Sequence, residues 1–276
     1  MNHLILLLLF LIAGIECFRP LNSQENQYWK DNCGTLPNHK SRFMDEKRHL
    51  FGGTPIPGDQ APWAVQAGKF EQMCSGTLIS SRHVLLASHC IMMSMDTASD
   101  TVRQSNWTCY GDNLVLEQDN NYYAVRDSRG QVLSNRVSKM ILLNFCTYKV
   151  VDYDDIMIME LKEDIIPNAF AYPACITDNQ NWDPDNNNGQ GVYNVLRKGV
   201  FKITGPWRDW RGFRIYNEQR TTDVRPGDSG GSVILYNGRY YVVGVVAVSW
   251  SYTFEAGISS VATHYKQICY FTGRCN

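Results

Sequence analysis

Chemistry is most concentrated around Ser229, which sits in the pentapeptide Gly227-Asp228-Ser229-Gly230-Gly231. Its flanking glycines let backbone approach a reacting carbonyl closely and adopt turns that bulkier residues resist. A serine hydroxyl attacks poorly until a base takes its proton, so nucleophilic chemistry here requires a partner from elsewhere in the chain. Read alone, the pentapeptide is equally a tight turn. Two other segments carry suitable groups. His89 stands next to the end of the stretch from Cys74 to Cys90, whose apolar runs suit a hairpin tied by cysteines, although such a histidine is often structural. Asp155 lies in Tyr153-Asp154-Asp155-Ile156-Met157-Ile158-Met159-Glu160-Leu161, where acids lead directly into a buried strand and could simply mark its edge.

The elements that must position these residues are short. From Phe51 onward, apolar runs bounded by Gly, Pro, Asn and Asp follow one another: 63–67, 77–79, 84–87, 113–116, 122–125, 139–143 and 156–161. Their lengths suit strands rather than helices. Residues 177–191 are crowded with Asn, Asp and Gly and read as an exposed connector. A second series of strands follows at 192–196, 200–203, 232–236 and 240–248, with Tyr236-Asn237-Gly238-Arg239 as a hairpin turn. Only 262–270 reads as a helix. The expected fold class is therefore all-β in two halves. No internal repeat is evident.

Composition narrows the class further. In 276 residues, 44% are hydrophobic and 19% charged, which excludes a disordered tail or a small peptide scaffold. The formal net charge of -1 argues against nucleic acid or anionic lipid as a partner. The apolar run from Leu4 to Ile12 is too short to span a bilayer and reads as the core of a secretory signal, taken to end at Cys17. Removing it takes away Glu16 and no base, leaving 26 residues of each sign. Residues 18–49 are polar and weakly periodic, which suggests a pro-segment outside the core. Eight cysteines remain after Cys17, an even number that suits four disulfides in an exported chain. No short C-x-x-C spacing points to a metal, and Asn106-Trp107-Thr108 is a glycosylation sequon.

Together the segments around His89, Asp155 and Ser229 resemble the chymotrypsin and trypsin family of secreted serine proteases, in that family's order of His, Asp and Ser. The resemblance runs from about Cys33 to the C-terminus. It implies two antiparallel six-stranded β-barrels with a short C-terminal helix: a first barrel over about 50–165, a connector over 166–190 and a second barrel over 191–276. It implies that His89 takes the proton of Ser229 and that Asp155, rather than its rivals Asp154 and Asp152, stabilises the imidazolium. The backbone N–H groups of Gly227 and Ser229 would form the oxyanion hole. No cofactor or metal is implied. The partners would be a protein or peptide substrate, an activating protease and a protein inhibitor.

The same resemblance assigns Asp223 and Gly257 to the substrate pocket, Asp223 standing where trypsin-like members select Arg or Lys. Arg225 occupies a position where a cysteine is usual and could neutralise Asp223. The tetrapeptide Leu50-Phe51-Gly52-Gly53 matches the new N-terminus created on activation, whose ammonium would pair with Asp228. His49 precedes it, so a cut after Arg48 leaves that ammonium one residue too far out. Cys74 with Cys90 matches a family bridge, and Cys33 with Cys175 matches a tethered pro-segment. Cys109 with Cys146 and Cys269 with Cys275 are paired by what remains.

Some features depart from the family. An insertion is expected over 92–110, the span from Asp155 to Ser229 is short, and two second-half disulfides lack cysteines. The substrate-binding edge strand should fall near 244–250. Residues 207–214 interleave Trp, Arg and Phe, which reads as cation–π packing within a loop rather than base stacking. His83 reads as a turn residue, while His39 and His264 receive no role. The leading function is a secreted endopeptidase, and the alternative is a non-catalytic homologue that binds a partner through the same cleft. A G-x-S-x-G esterase with Glu255 and His264 as its remaining groups lacks a strand leading into the serine.

Overall fold

A computed structural model describes residues 18–36, 51–69, 72–93, 106–118, 122–151, 154–179, 190–194, 197–207, 211–250 and 253–275. The expected leader, residues 37–49 and Leu50 lie outside the described residues.

The first half supplies β2 (Ala64–Lys69), β3 (Gln72–Leu78), β4 (His83–Leu86), β5 (Trp107–Tyr110), β6 (Asn113–Glu117), β7 (Tyr123–Arg126), β8 (Val132–Ser134), β9 (Val137–Leu142) and β10 (Met157–Leu161). They form one curled antiparallel sheet in the order β5-β6-β9-β10-β4-β3-β2-β7-β8. The second half contains β11 (Cys175–Ile176), β12 (Gln190–Asn194), β13 (Arg197–Trp207), β14 (Gly212–Tyr216), β15 (Ser232–Tyr236), β16 (Tyr240–Trp250) and β17 (Glu255–Ser260). It closes on itself, because β14 pairs with both β17 and β13 around the ring β13-β12-β15-β16-β17-β14. The early strand β1 (Thr54–Pro55) crosses over to pair with β13. The chain is thus all-β in two halves, with β11 running parallel to β16 at the margin.

Strand periodicity explains how two cores arise. Along β10 and the residue that leads into it, Met157 and Met159 enter the core of the first half, whereas Ile156 and Ile158 join the core shared by the two halves. The neighbouring β4 and the residue after it repeat the division, with Val84 and Leu86 on one side and Leu85 and Ala87 on the other. Successive side chains of a strand point to opposite faces, so an unbroken apolar run serves both. The shared core also holds Ile234 and Val245 of the second half. Phe201, Ile215 and Val243 belong to the second half's own core.

Some expectations fail. His83 is a fully buried residue of β4, bonded to Ser80, and not a turn residue. Residues 23–32, within the polar segment expected outside the core, form a helix, α1 (Ser23–Asn32). Asn22 and Glu25 close a capping box, which satisfies the first free N–H groups and stabilises a short helix that its weak periodicity would not. Leu21, Trp29 and Cys33 are buried, so the segment joins the packed body. It fastens to the C-terminal helix α3 (Tyr265–Thr272), which follows the four-residue α2 (Phe145–Tyr148). Leu21 N donates to Thr272 O at 2.7 Å, and Arg274 donates to Trp29 O at 3.1 Å. The arm was unreadable because its apolar residues are few and its caps are polar.

Candidate active site

Register places His89 beside Asp155. β4 and β10 are antiparallel, with Leu86 opposite Met157, so the chain leaving β4 and the chain entering β10 meet at the same end of the sheet. His89 lies in a 3-10 turn, Ser88–Cys90, and Cys90 is bridged to Cys74 of β3. That bridge fastens the turn to the sheet. Asp155 holds the histidine twice: Oδ1 accepts from the His89 backbone N–H at 2.9 Å and Oδ2 from ring Nδ1 at 2.6 Å. Two contacts to one carboxylate fix both backbone and ring. Asp155 is buried, while the His89 side chain keeps 23% exposure, enough to meet a ligand.

The loop carrying Ser229 belongs to the second half but docks on the first. Ser75 of β3 donates its backbone N–H to Ser229 O at 2.9 Å and its hydroxyl to Gly227 O at 3.0 Å. Gly230 has φ +80°, and a Cβ there would lie 2.1 Å from Ser75 O and 3.2 Å from Ala87 N. Only glycine fits that approach, and Ala87 is two residues before His89. On the other side, Gly230 N–H donates to Val246 O at 2.8 Å and Val246 N–H to Gly231 O at 2.9 Å. The loop is therefore fixed between β3 and β16, with Ala247, Val248 and Ser249 continuing past it.

The chain belongs to the nematode trypsin-6-like family. That family matches residues 3–275, nearly the whole sequence. Among curated relatives, serine protease SSP1 of Scolopendra subspinipes is 23% identical over 269 residues, covering 88% of this chain and 82% of the relative. Coagulation factor IX of Oryctolagus cuniculus is 24% identical over 236 residues, covering 76% and 78%. Mannan-binding lectin serine protease 1 of Homo sapiens is 23% identical over 257 residues, covering 79% of this chain but 33% of that protein. The chain spans about a third of that relative and 56% of spermosin of Halocynthia roretzi. Membership in a trypsin-like family and the two-half β fold agree with each other.

The pocket residues differ in their surroundings. Asp223 is wholly buried, its N–H donates to Phe51 O at 3.0 Å, and its carboxylate lies 3.2 Å from the Arg225 guanidinium. Arg225 also lies 5.0 Å above the Phe51 ring. The open side of Gly257 is filled by Trp207: a Cβ there would come within 2.6–2.9 Å of three indole atoms. Trp207 in turn meets Trp250 edge-on at 6.3 Å. Asp228 is buried and accepts from the Arg225 backbone N–H at 2.7 Å.

Among the described residues, Cys33–Cys175, Cys74–Cys90, Cys109–Cys146 and Cys269–Cys275 are disulfides. Cys74, His89 and Cys90 cluster within 4.8 Å, but both sulfurs are spent in their bridge and offer no thiolate to a metal. Asn106 of the sequon is exposed. No helix of the described residues is long and apolar enough to cross a membrane.

Two supports went unread. Ser75 holds the serine loop, and Ser259 donates its hydroxyl to Asp155 O at 3.0 Å. Neither carries a local signal, because each acts across the boundary between halves. His264, unassigned from the sequence, bonds Asp154 at 2.8 Å, which also removes it from any esterase arrangement.

Proposed function

We propose that this chain is a secreted serine endopeptidase that cleaves peptide bonds through an acyl-enzyme. The observation that carries the reading is the double hold of Asp155 on His89, at the sheet end where the Ser229 loop is pinned. With Nδ1 donating to Asp155, Nε2 is the nitrogen left to take the Ser229 proton. Oγ then bonds the substrate carbonyl carbon, and the carbonyl oxygen becomes an oxyanion facing the N–H groups of Gly227 and Ser229. As the C–N bond breaks, the imidazolium returns its proton to the departing amine. Water repeats the sequence in reverse, giving the acid and restoring the serine. Asp155 keeps the charged ring oriented throughout.

The finer assignments follow from the same reading. Leu50 would carry the new ammonium to Asp228, and the residue after it, Phe51, pairs with Asp223. A cut there leaves residues 18–49 attached through Cys33–Cys175. Four disulfides suit an oxidising compartment, and exposed Asn106 suits a glycan there. Preference for Arg or Lys is weakened by Arg225, which a cationic substrate side chain would have to displace from Asp223. An activating protease and a protein inhibitor remain the expected partners.

A second reading, a homologue that binds without cleaving, draws on Trp207 over Gly257 and Arg225 on Asp223, which together occupy the specificity elements. A fluorophosphonate probe on mature protein separates the two. Labelling abolished by Ser229→Ala, with Asp155→Asn slowing amide hydrolysis by about 10⁴-fold, supports the peptidase. Unlabelled Ser229 after activation favours the binder.

A further inference from the structure

Asp154, the residue before Asp155, is buried and held on both oxygens. Oδ1 meets His264 Nε2 at 2.8 Å. Oδ2 accepts from Asn144 Nδ2 at 2.9 Å and from the Arg211 guanidinium. Arg211 also bonds the Tyr148 hydroxyl and lies 4.8 Å above that ring, while Gln267 donates to Asn144 Oδ1 at 2.7 Å. The groups come from separate elements. Asn144 and Tyr148 flank and end α2, Arg211 precedes β14, and His264 and Gln267 belong to the cap and body of α3.

The chemistry of His264 is constrained. Its Nδ1 faces Ser260 O at 2.7 Å and its Nε2 faces the carboxylate, so both nitrogens meet acceptors. A ring that donates from both carries a positive charge. Two adjacent buried carboxylates would repel, and the charges of His264 and Arg211 offset that repulsion. Burial alone would raise Asp154, yet the bonds from His264 and Asn144 and the nearby cations hold its carboxyl below the ordinary value. With Ser259 bonded to the Asp155 carbonyl, the 154–155 segment is gripped from both ends.

We propose that His264, Asp154 and Arg211 form a non-reacting ion cluster that positions Asp155 against His89, making Asp154 and His264 positioning residues of the proposed peptidase. The proposal rests on the peptidase reading, and it gives a role to Asp154, a rival of Asp155, and to His264. Orientation of a catalytic group must hold to within about 0.5 Å, which a lone strand end does not guarantee.

The test uses the full mature chain. Asp154→Asn keeps the shape and an acceptor but removes the charge that the cations balance. The expected result is a folded protein with kcat lower by about tenfold to hundredfold, the scale on which orienting partners act elsewhere, and KM changed less than about twofold. The acidic limb of its pH–rate profile should move to lower pH, because a less well-held Asp155 stabilises the imidazolium less. Arg211→Gln, at a partly exposed residue, should move the same quantities less and serves if Asp154→Asn does not fold. Proton NMR of the His89–Asp155 ring proton, in the Ser229→Ala background, reads the positioning without turnover, and an upfield move is expected in the Asp154→Asn variant. Unchanged kcat, pH limb and ring-proton shift in a folded variant overturn the proposal. Hydrolysis that survives Ser229→Ala overturns the peptidase reading instead, and the NMR result then decides the positioning by itself.

Discussion

The strand ends bearing His89 and Asp155 and the loop bearing Ser229 are held in different ways. The first two sit on adjacent antiparallel strands, are backed by two layers of buried side chains, and are tied by Cys74–Cys90. The serine loop has no disulfide of its own. Its fixation comes from backbone bonds to Ser75 and Val246 and from a glycine with positive φ. The His89–Asp155 pair is thus held mainly by the strand register and a disulfide of the first half, with Ser259 reaching it from the second, whereas the Ser229 loop depends throughout on the close approach of the two halves. Perturbing each support should therefore produce different losses.

The largest effect is expected at Gly230. A methyl group there meets backbone at 2.1 Å and asks an L-residue to hold φ +80°. Gly230→Ala should cost about 3 kcal/mol or more and displace Ser229, since the left-handed region alone costs about 1–2 kcal/mol. Urea unfolding and fluorophosphonate labelling measure the two losses. Wild-type behaviour in both would mean the halves do not meet as closely as described.

Next comes the bridge that fastens the histidine turn. Replacing Cys74 and Cys90 together by Ala opens a 16-residue loop, with an expected cost of about 3 kcal/mol. Here labelling of Ser229 should survive at low temperature while thermal stability falls. Calorimetry and labelling on the same sample check the contrast with Gly230→Ala.

The smallest effect is the acid response of the first half. Burial pushes Glu160 up, but the neighbouring His83, the Ser138 hydroxyl and the Arg19 amide outweigh it and hold the carboxyl below its ordinary 4.5. A depressed carboxyl contributes stability that is complete above the unfolded value and is lost as pH falls through the folded one. Stability from Glu160 should therefore be constant down to about pH 5 and decline below about pH 4.5. In urea titrations, Glu160→Gln should be less stable at neutral pH and should lose less on acidification. An equal decline in both proteins would assign the acid response elsewhere.

Much of this was legible in the chain itself. The Ile-Met-Ile-Met run after Asp155 and the apolar stretch before His89 announce strands, because each buries both faces and such runs admit few other conformations. The glycines around Ser229 announce a tight, closely approached loop for the same local reason. Helix α1 was hidden because its stability lies in a capping box and in Trp29 docking on distant residues. Strands β14 and β17 were missed because Arg214 interrupts the first and Gly257, Ser259 and Ser260 thin the apolar pattern of the second. What folding alone decided is long-range. Trp207 over Gly257 and the Asp154–His264–Arg211 cluster join residues whose local sequences say nothing of each other. Hydrophobic patterning is encoded over a few neighbours, whereas the partner of a buried charge is selected by which elements the closed sheets bring together.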